Sequence, residues 1–111
     1  MKLTWQYIAG FFDGEGCISV PRGSKHTRGS LTCIMYQKRP EVLYKIQEFL
    51  TNHGFSCTVA PNQRDQYHLY IKDGLLGNLR FLREIHPYLI VKKVEAQDTL
   101  RFFTVFGAYQ Q

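Results

Sequence analysis

The sequence predicts an α+β domain in the order αββαββα, with one more helix at its end. Three observations predict it. Two-residue alternation of apolar and polar side chains occurs in four short stretches, grouped in pairs. Each pair is followed by a segment in which apolar residues recur every three or four positions. A short apolar segment with helical character precedes the first pair. Four antiparallel strands with helices packed on one face leave the other face open.

Each element has its own signal. Thr4 is placed as the N-cap of a first helix over residues 4–13. Ile18 and Val20 alternate with Ser19 and Pro21, as in a half-buried strand. Residues 22–29, with two glycines among polar and basic residues, read as a hairpin tip. Leu31, Cys33 and Met35 alternate with Thr32, Ile34 and Tyr36 in the returning strand, although Ile34 puts an apolar residue on the open side. Pro40 suits a first helical turn, and Val42, Leu43, Ile46, Phe49 and Leu50 form the stripe that follows, closed by Gly54. Residues 55–60 make a third strand and residues 61–65 a turn. Tyr67, Leu69 and Ile71 alternate with His68, Tyr70 and Lys72 in the fourth strand. Asp73 is in place to cap a helix carrying Leu75, Leu76, Leu79, Leu82 and Ile85, stopped before Pro87. A last helix runs over residues 91–106.

The 111 residues suffice for one domain, 1–111, with a modest core. A hydrophobic share of 44% excludes a disordered chain. No apolar run is long enough to span a membrane, and MKLTWQYIAG has no cleavage-site spacing, so the expected location is intracellular. Cys17, Cys33 and Cys57 are odd in number and contain no CxxC pair, which predicts reduced thiols and no zinc site.

The chemistry gathers in YIAGFFDGEGCI, residues 7–18. Asp13 and Glu15 end an apolar helix, where the carbonyl end of the dipole is already negative. Such a pair does little for folding, and makes sense if a divalent cation, ideally Mg²⁺, sits on oxygen ligands there. Ala9, Gly10 and Gly14 are small, with Gly10 and Gly14 four apart on one face, so two helices can approach closely.

Ile8-Ala9-Gly10-Phe11-Phe12-Asp13-Gly14-Glu15-Gly16 resembles the LAGLIDADG motif of homing endonucleases, with Glu15 in place of the usual second Asp. The resemblance implies the same αββαββα core over nearly the whole chain, and motif helices packed about a two-fold axis. One motif implies a homodimer, with Ala9, Gly10 and Gly14 at its interface. Glu15 and the Gly14 carbonyl would bind Mg²⁺, with Mn²⁺ able to substitute. Gln37 matches a polar residue that orders active-site water, and Lys92 a basic residue near the scissile phosphate, unless Lys93 takes that place. No further small-molecule cofactor and no membrane is implied. The resemblance also admits an organellar host, chloroplast or mitochondrion. The lack of a splicing domain points to a mobile intron or free-standing gene rather than an intein.

Charge supports a nucleic-acid partner. Arg22, Lys25, Arg28, Lys38 and Arg39 lie in a stretch without any acid and account for the whole net charge of +5. The open face then forms a saddle for double-stranded DNA, with Ser19, Thr32, Ile34, Tyr36, Arg64, Gln66, His68, Tyr70 and Lys72 joining Arg22, Lys25, Arg28 and Lys38 as contacts. The expected activity is metal-dependent hydrolysis of a phosphodiester at a pseudo-palindromic DNA site, with Glu15, Gln37 and Lys92 catalytic. Alternatives are an RNA maturase or a non-cleaving DNA-binding protein on the same fold; a metal enzyme without nucleic acid fits the basic stretch poorly. Plainer roles are also assigned. Asp13 is structural, bonding backbone amides of the partner helix or the following turn. His53 and His86 end helices, Trp5 and the phenylalanines fill the core, and Lys45, Arg80 and Arg83 are solvated.

Overall fold

The computed structural model describes residues 2–20 and 31–107. Helix α1 (Trp5–Glu15) leads into strand β1 (Gly16–Ser19), and β2 (Thr32–Gln37) returns beside it. Helix α2 (Glu41–Asn52), strands β3 (Cys57–Pro61) and β4 (Tyr67–Ile71), and helix α3 (Gly74–Ile85) repeat the pattern. A 3₁₀ turn (His86–Tyr88) and helix α4 (Lys93–Gly107) complete it. The four strands form one antiparallel sheet in the order β1-β2-β4-β3.

Strand parity decides what is covered. Cys33 and Met35 of β2 and Leu69 and Ile71 of β4 are buried against the helices. Ile8, Ala9 and Phe12 of α1, Leu43, Ile46 and Leu50 of α2, and Leu79, Phe81, Leu82 and Ile85 of α3 meet them. Trp5 ties the start of α1 to its neighbours, edge-on to Phe49 at 5.0 Å and Phe55 at 5.9 Å. The other parity, with Thr32, Ile34, Tyr36, His68 and Tyr70, stays half-exposed.

Several boundaries differ from expectation, for physical reasons. Thr4 caps α1 as expected, its Oγ1 accepting from Tyr7 N at 3.1 Å. The helix continues past Asp13 to Glu15, because Gly16 N still donates to Phe12 O. No linker separates α1 from β1. The junction requires glycine at Gly16, where a Cβ would press on the Phe12 ring and stand 2.6 Å from Phe12 O. Asp73 stands at the N-cap of α3 but makes no cap bond; its Oδ2 accepts instead from Ser56 N at 2.7 Å. Helix α4 starts at Lys93 rather than 91, since the amides of Ile90 and Lys92 are engaged elsewhere.

Other side chains depart from their assigned roles. Arg80 is exposed yet not simply solvated. Its guanidinium donates to His53 O and Gly54 O at the end of α2 and lies 4.0 Å from the centre of the Phe55 ring. Phe102 is 50% exposed, so not every phenylalanine is core. His53 is a helix end, with its ring stacked on Phe49. His86 is more enclosed than a helix end requires, and its Nε2 is buried without a hydrogen-bond partner among the described residues.

Candidate active site

The end of α1 is where the negative charges gather, and the fold answers one of them. Asp13 Oδ2 accepts from Ile90 N at 2.7 Å and Oδ1 from Lys92 N at 2.9 Å. The Lys92 ammonium donates to the Asp13 carbonyl at 2.7 Å. Partial burial pushes the Asp13 carboxyl up, but the amides of Ile90, Lys92 and Val91 and the Lys92 charge outweigh it and hold the pKa below its ordinary value. A cation on the last carbonyls also offsets the negative end of the helix. Asp13 thus accepts from backbone amides, but they come from the segment before α4 of the same chain rather than from a partner helix or the following turn. In this arrangement Lys92 Nζ sits on α1.

Glu15 is exposed as the last residue of α1. It borders an open cleft of about 690 Å³ together with Gly14, Gly16 and the β2 and β4 residues Tyr36 and His68. The far wall is the β3–β4 turn, with Asn62, Gln63, Arg64 and Gln66. The cleft thus joins the motif carboxylate to the open face of the sheet. Gln37 ends β2, as expected, but is not part of this lining. Its Oε1 accepts from Lys38 N at 2.8 Å. The register of Gly16 with Met35 still brings the end of α1 alongside the end of β2.

Glu15 and the Gly14 carbonyl are hard oxygen donors, the kind that Mg²⁺ takes while keeping several of its waters. The donor chemistry fits the ion, but one chain supplies only part of a shell. No group of three or more His, Cys, Asp or Glu side chains gathers among the described residues. A second copy could supply the rest through the open side of α1. Gly10 and Gly14 are exposed there, and a Cβ at either would meet nothing within 4 Å. Ala9 is a correction: it is wholly buried in its own chain, so it has no surface to offer a partner. Ile90 and Val91, next to the Asp13 contact, are 84% and 77% exposed.

On the open face, Ser19 stands opposite Thr32, Ile34 opposite Tyr70, and Tyr36 opposite His68. The His68 ring lies 6.4 Å from that of Tyr36 and 5.6 Å from that of Tyr70, making an aromatic row across two strands. Lys38 and Lys72 are exposed just beyond the ends of β2 and β4. Arg22, Lys25 and Arg28 lie outside the described residues. Two polar residues escaped the sequence reading. Asn62 organises the turn that carries Arg64, and an Asx-turn pattern, Asn with two polar residues after it, was the available signal. Asn78 is buried within α3, where its Oδ1 accepts from Cys33 N at 2.7 Å and its Nδ2 donates to Gly74 O at 2.7 Å. A lone Asn inside an apolar stripe was its only mark.

Comparison with known proteins adds to this geometry. A model of the LAGLIDADG endonuclease family matches residues 8–94. Reverse gyrase of Methanocaldococcus jannaschii is 34% identical over 86 residues, which is 78% of this chain and 5% of that protein. The homing endonuclease I-CvuI, solved in complex with the I-CreI target, superposes with a TM-score of 0.71 at 19% identity, over 90% of this chain and 65% of its own. I-TnaI gives 0.67 at 23% identity, over 97% and 76%. The archaeal intron-encoded I-Vdi141I, solved with DNA, gives 0.60 at 25% identity, over 84% and 62%. The chain thus spans a small part of reverse gyrase and somewhat under two thirds of I-CvuI.

Proposed function

The chain belongs to the LAGLIDADG endonuclease family, and from that premise we propose that it is a sequence-specific, Mg²⁺-dependent DNA endonuclease acting as a homodimer. The observation that carries the reading is Glu15. It stands exposed at the end of the motif helix, in a cleft continuous with an uncovered, polar and aromatic sheet face.

The chain's own groups divide the work. Glu15 and the Gly14 carbonyl would hold the ion at the end of α1. Mg²⁺, or Mn²⁺ in its place, supplies Lewis-acid stabilisation of the attacking and leaving oxygens. Lys92, whose ammonium lies on the Asp13 carbonyl at the end of α1, would supply a cation for the charge that develops on the phosphate. Gln37 orders the water once its side chain leaves the Lys38 amide. Thr32, Tyr36, His68 and Tyr70 face the bases, while Lys38, Lys72, Arg22, Lys25 and Arg28 hold phosphates. The dimer is supported by the open Gly10/Gly14 face and by the exposed apolar side chains of Ile90, Val91 and Val94.

Selection of cleaved sites from a random duplex library with Mg²⁺ tests this reading. Wild-type protein should return a pseudo-palindrome, most tolerant at its centre, where the minor groove carries little code. Glu15→Gln should return no cleaved sites while still binding the selected duplex, as tightly or more so. Cleavage at the wild-type rate by that variant would sink the assignment. One observation favours a second reading. Gln37 and Lys92 are both engaged within the chain, as suits a protein that binds DNA, or an intron RNA, without cutting. Tight Mg²⁺-independent binding with no cleaved product would decide for it.

A further inference from the structure

The cleft beside Glu15 has a far wall, and one side chain holds that wall in shape. In the β3–β4 turn, Asn62 Oδ1 accepts from Arg64 N at 2.8 Å. Asn62 N donates to Gln66 O at 2.8 Å, and its Nδ2 reaches Gln66 Oε1 at 3.5 Å. Asp65 closes the loop at φ 58°, the left-handed conformation that ends many three-residue hairpin loops. Asn62, Arg64 and Gln66 all line the same cleft as Glu15.

We propose that Asn62 is a positioning residue that presents Arg64 to the innermost major-groove base pairs of each half-site, those that flank the tolerant centre, so that preference at those pairs depends on Asn62. The proposal rests on the reading of this protein as a sequence-specific DNA endonuclease. An arginine on a loose loop grips any phosphate within reach. An arginine whose own amide is fixed delivers its planar fork from one direction, as bidentate recognition of guanine O6 and N7 requires. Arg64 is exposed and has that fixed amide.

The distances separate Arg64 from Gln66. The Asn62 contact to the Arg64 amide is of full strength at 2.8 Å, whereas the contact to Gln66 Oε1, at 3.5 Å, is beyond the usual range. Gln66 is tied mainly through the Asn62 backbone amide, which Asn62→Ala and Asn62→Asp both keep. Loss of the Asn62 side chain should therefore act on what Arg64 reads and spare what Gln66 reads. A purely structural Asx turn would lower stability and leave base preference as it was.

The test compares binding profiles from a randomised duplex library for wild type, Arg64→Ala, Asn62→Ala and Asn62→Asp. At the pairs read by Arg64, wild-type discrimination should be roughly tenfold or more. Asn62→Ala should flatten preference at the same pairs as Arg64→Ala and at no others. Asn62→Asp keeps the acceptor for the Arg64 amide and should restore it. Without DNA, exchange of the Arg64 amide should rise roughly tenfold in Asn62→Ala and stay slow in Asn62→Asp. A wild-type profile retained by Asn62→Ala, loss at pairs that Arg64→Ala leaves alone, or an Arg64 amide that exchanges alike in all variants, overturns the proposal. A wild-type protein that enriches no sequence ends the endonuclease reading as well.

Discussion

Asp13 sits where helix electrostatics oppose it, and three donors from one distant segment reverse the balance. Removing the carboxylate in Asp13→Ala leaves the Ile90 and Lys92 amides to water and frees the Lys92 segment. We expect a loss of about 1–3 kcal/mol in urea unfolding, together with weakened cleavage. Its pH dependence has a definite sign. A carboxyl whose folded pKa is depressed adds stability that is present above its unfolded value, about 3.9, and is lost as pH falls through the folded value. Stability of the wild type should thus decline on the acid side of pH 4, and Asp13→Asn should flatten that part of the profile. An identical acid limb in both proteins would remove Asp13 from the account. That Asp13 would bond backbone amides was legible in the sequence, because the dipole argument is local. Its partners were not, since Ile90 and Lys92 lie 77 and 79 positions away and carry no pattern that names their amides.

At the scale of the element, α1 shows how far periodicity reaches. Its cap at Thr4 and its small-residue face could be read directly, because both depend on neighbours within four residues. Its end could not, because the carbonyls there are met by Lys92 from α4's approach. The strands were legible for the same reason as the cap: parity is a local rule, and Met35 and Leu69 obey it. Ala9 misled because Gly10 and Gly14 drew it onto their face, whereas one step along a helix turns a side chain by about 100°. The open face of α1 gives a prediction with two opposite signs. A Cβ at Gly10 meets nothing within 4 Å in the single chain, and Gly10→Leu removes a helix-interior glycine. It should leave the single chain as stable as before or up to about 1 kcal/mol more stable. It should also abolish the dimer in sedimentation equilibrium. A variant that still sediments as a dimer places the interface elsewhere.

The whole molecule is a one-sided sheet, with helices on one face and a half-exposed aromatic row on the other. That asymmetry was legible because both halves of the chain repeat the same order of elements. The reverse gyrase match adds that a stretch similar to most of this chain lies within a much longer polypeptide. The Asp13 contact bears on time as well as position. During synthesis the acid emerges early and must wait for residues 90 to 92 before its amides exist. Closing a loop of that length is entropically slower than pairing adjacent strands. In refolding, hydrogen-exchange protection of the Ile90 and Lys92 amides should therefore appear after that of the β2 and β4 amides; simultaneous protection would contradict this order. A chain still being made, or one stalled short of residue 90, would carry Glu15 without the lysine that binds the Asp13 carbonyl two residues before it. If Lys92 serves the reaction proposed above, the capacity to cut would be acquired only after the motif helix and the four strands are already made.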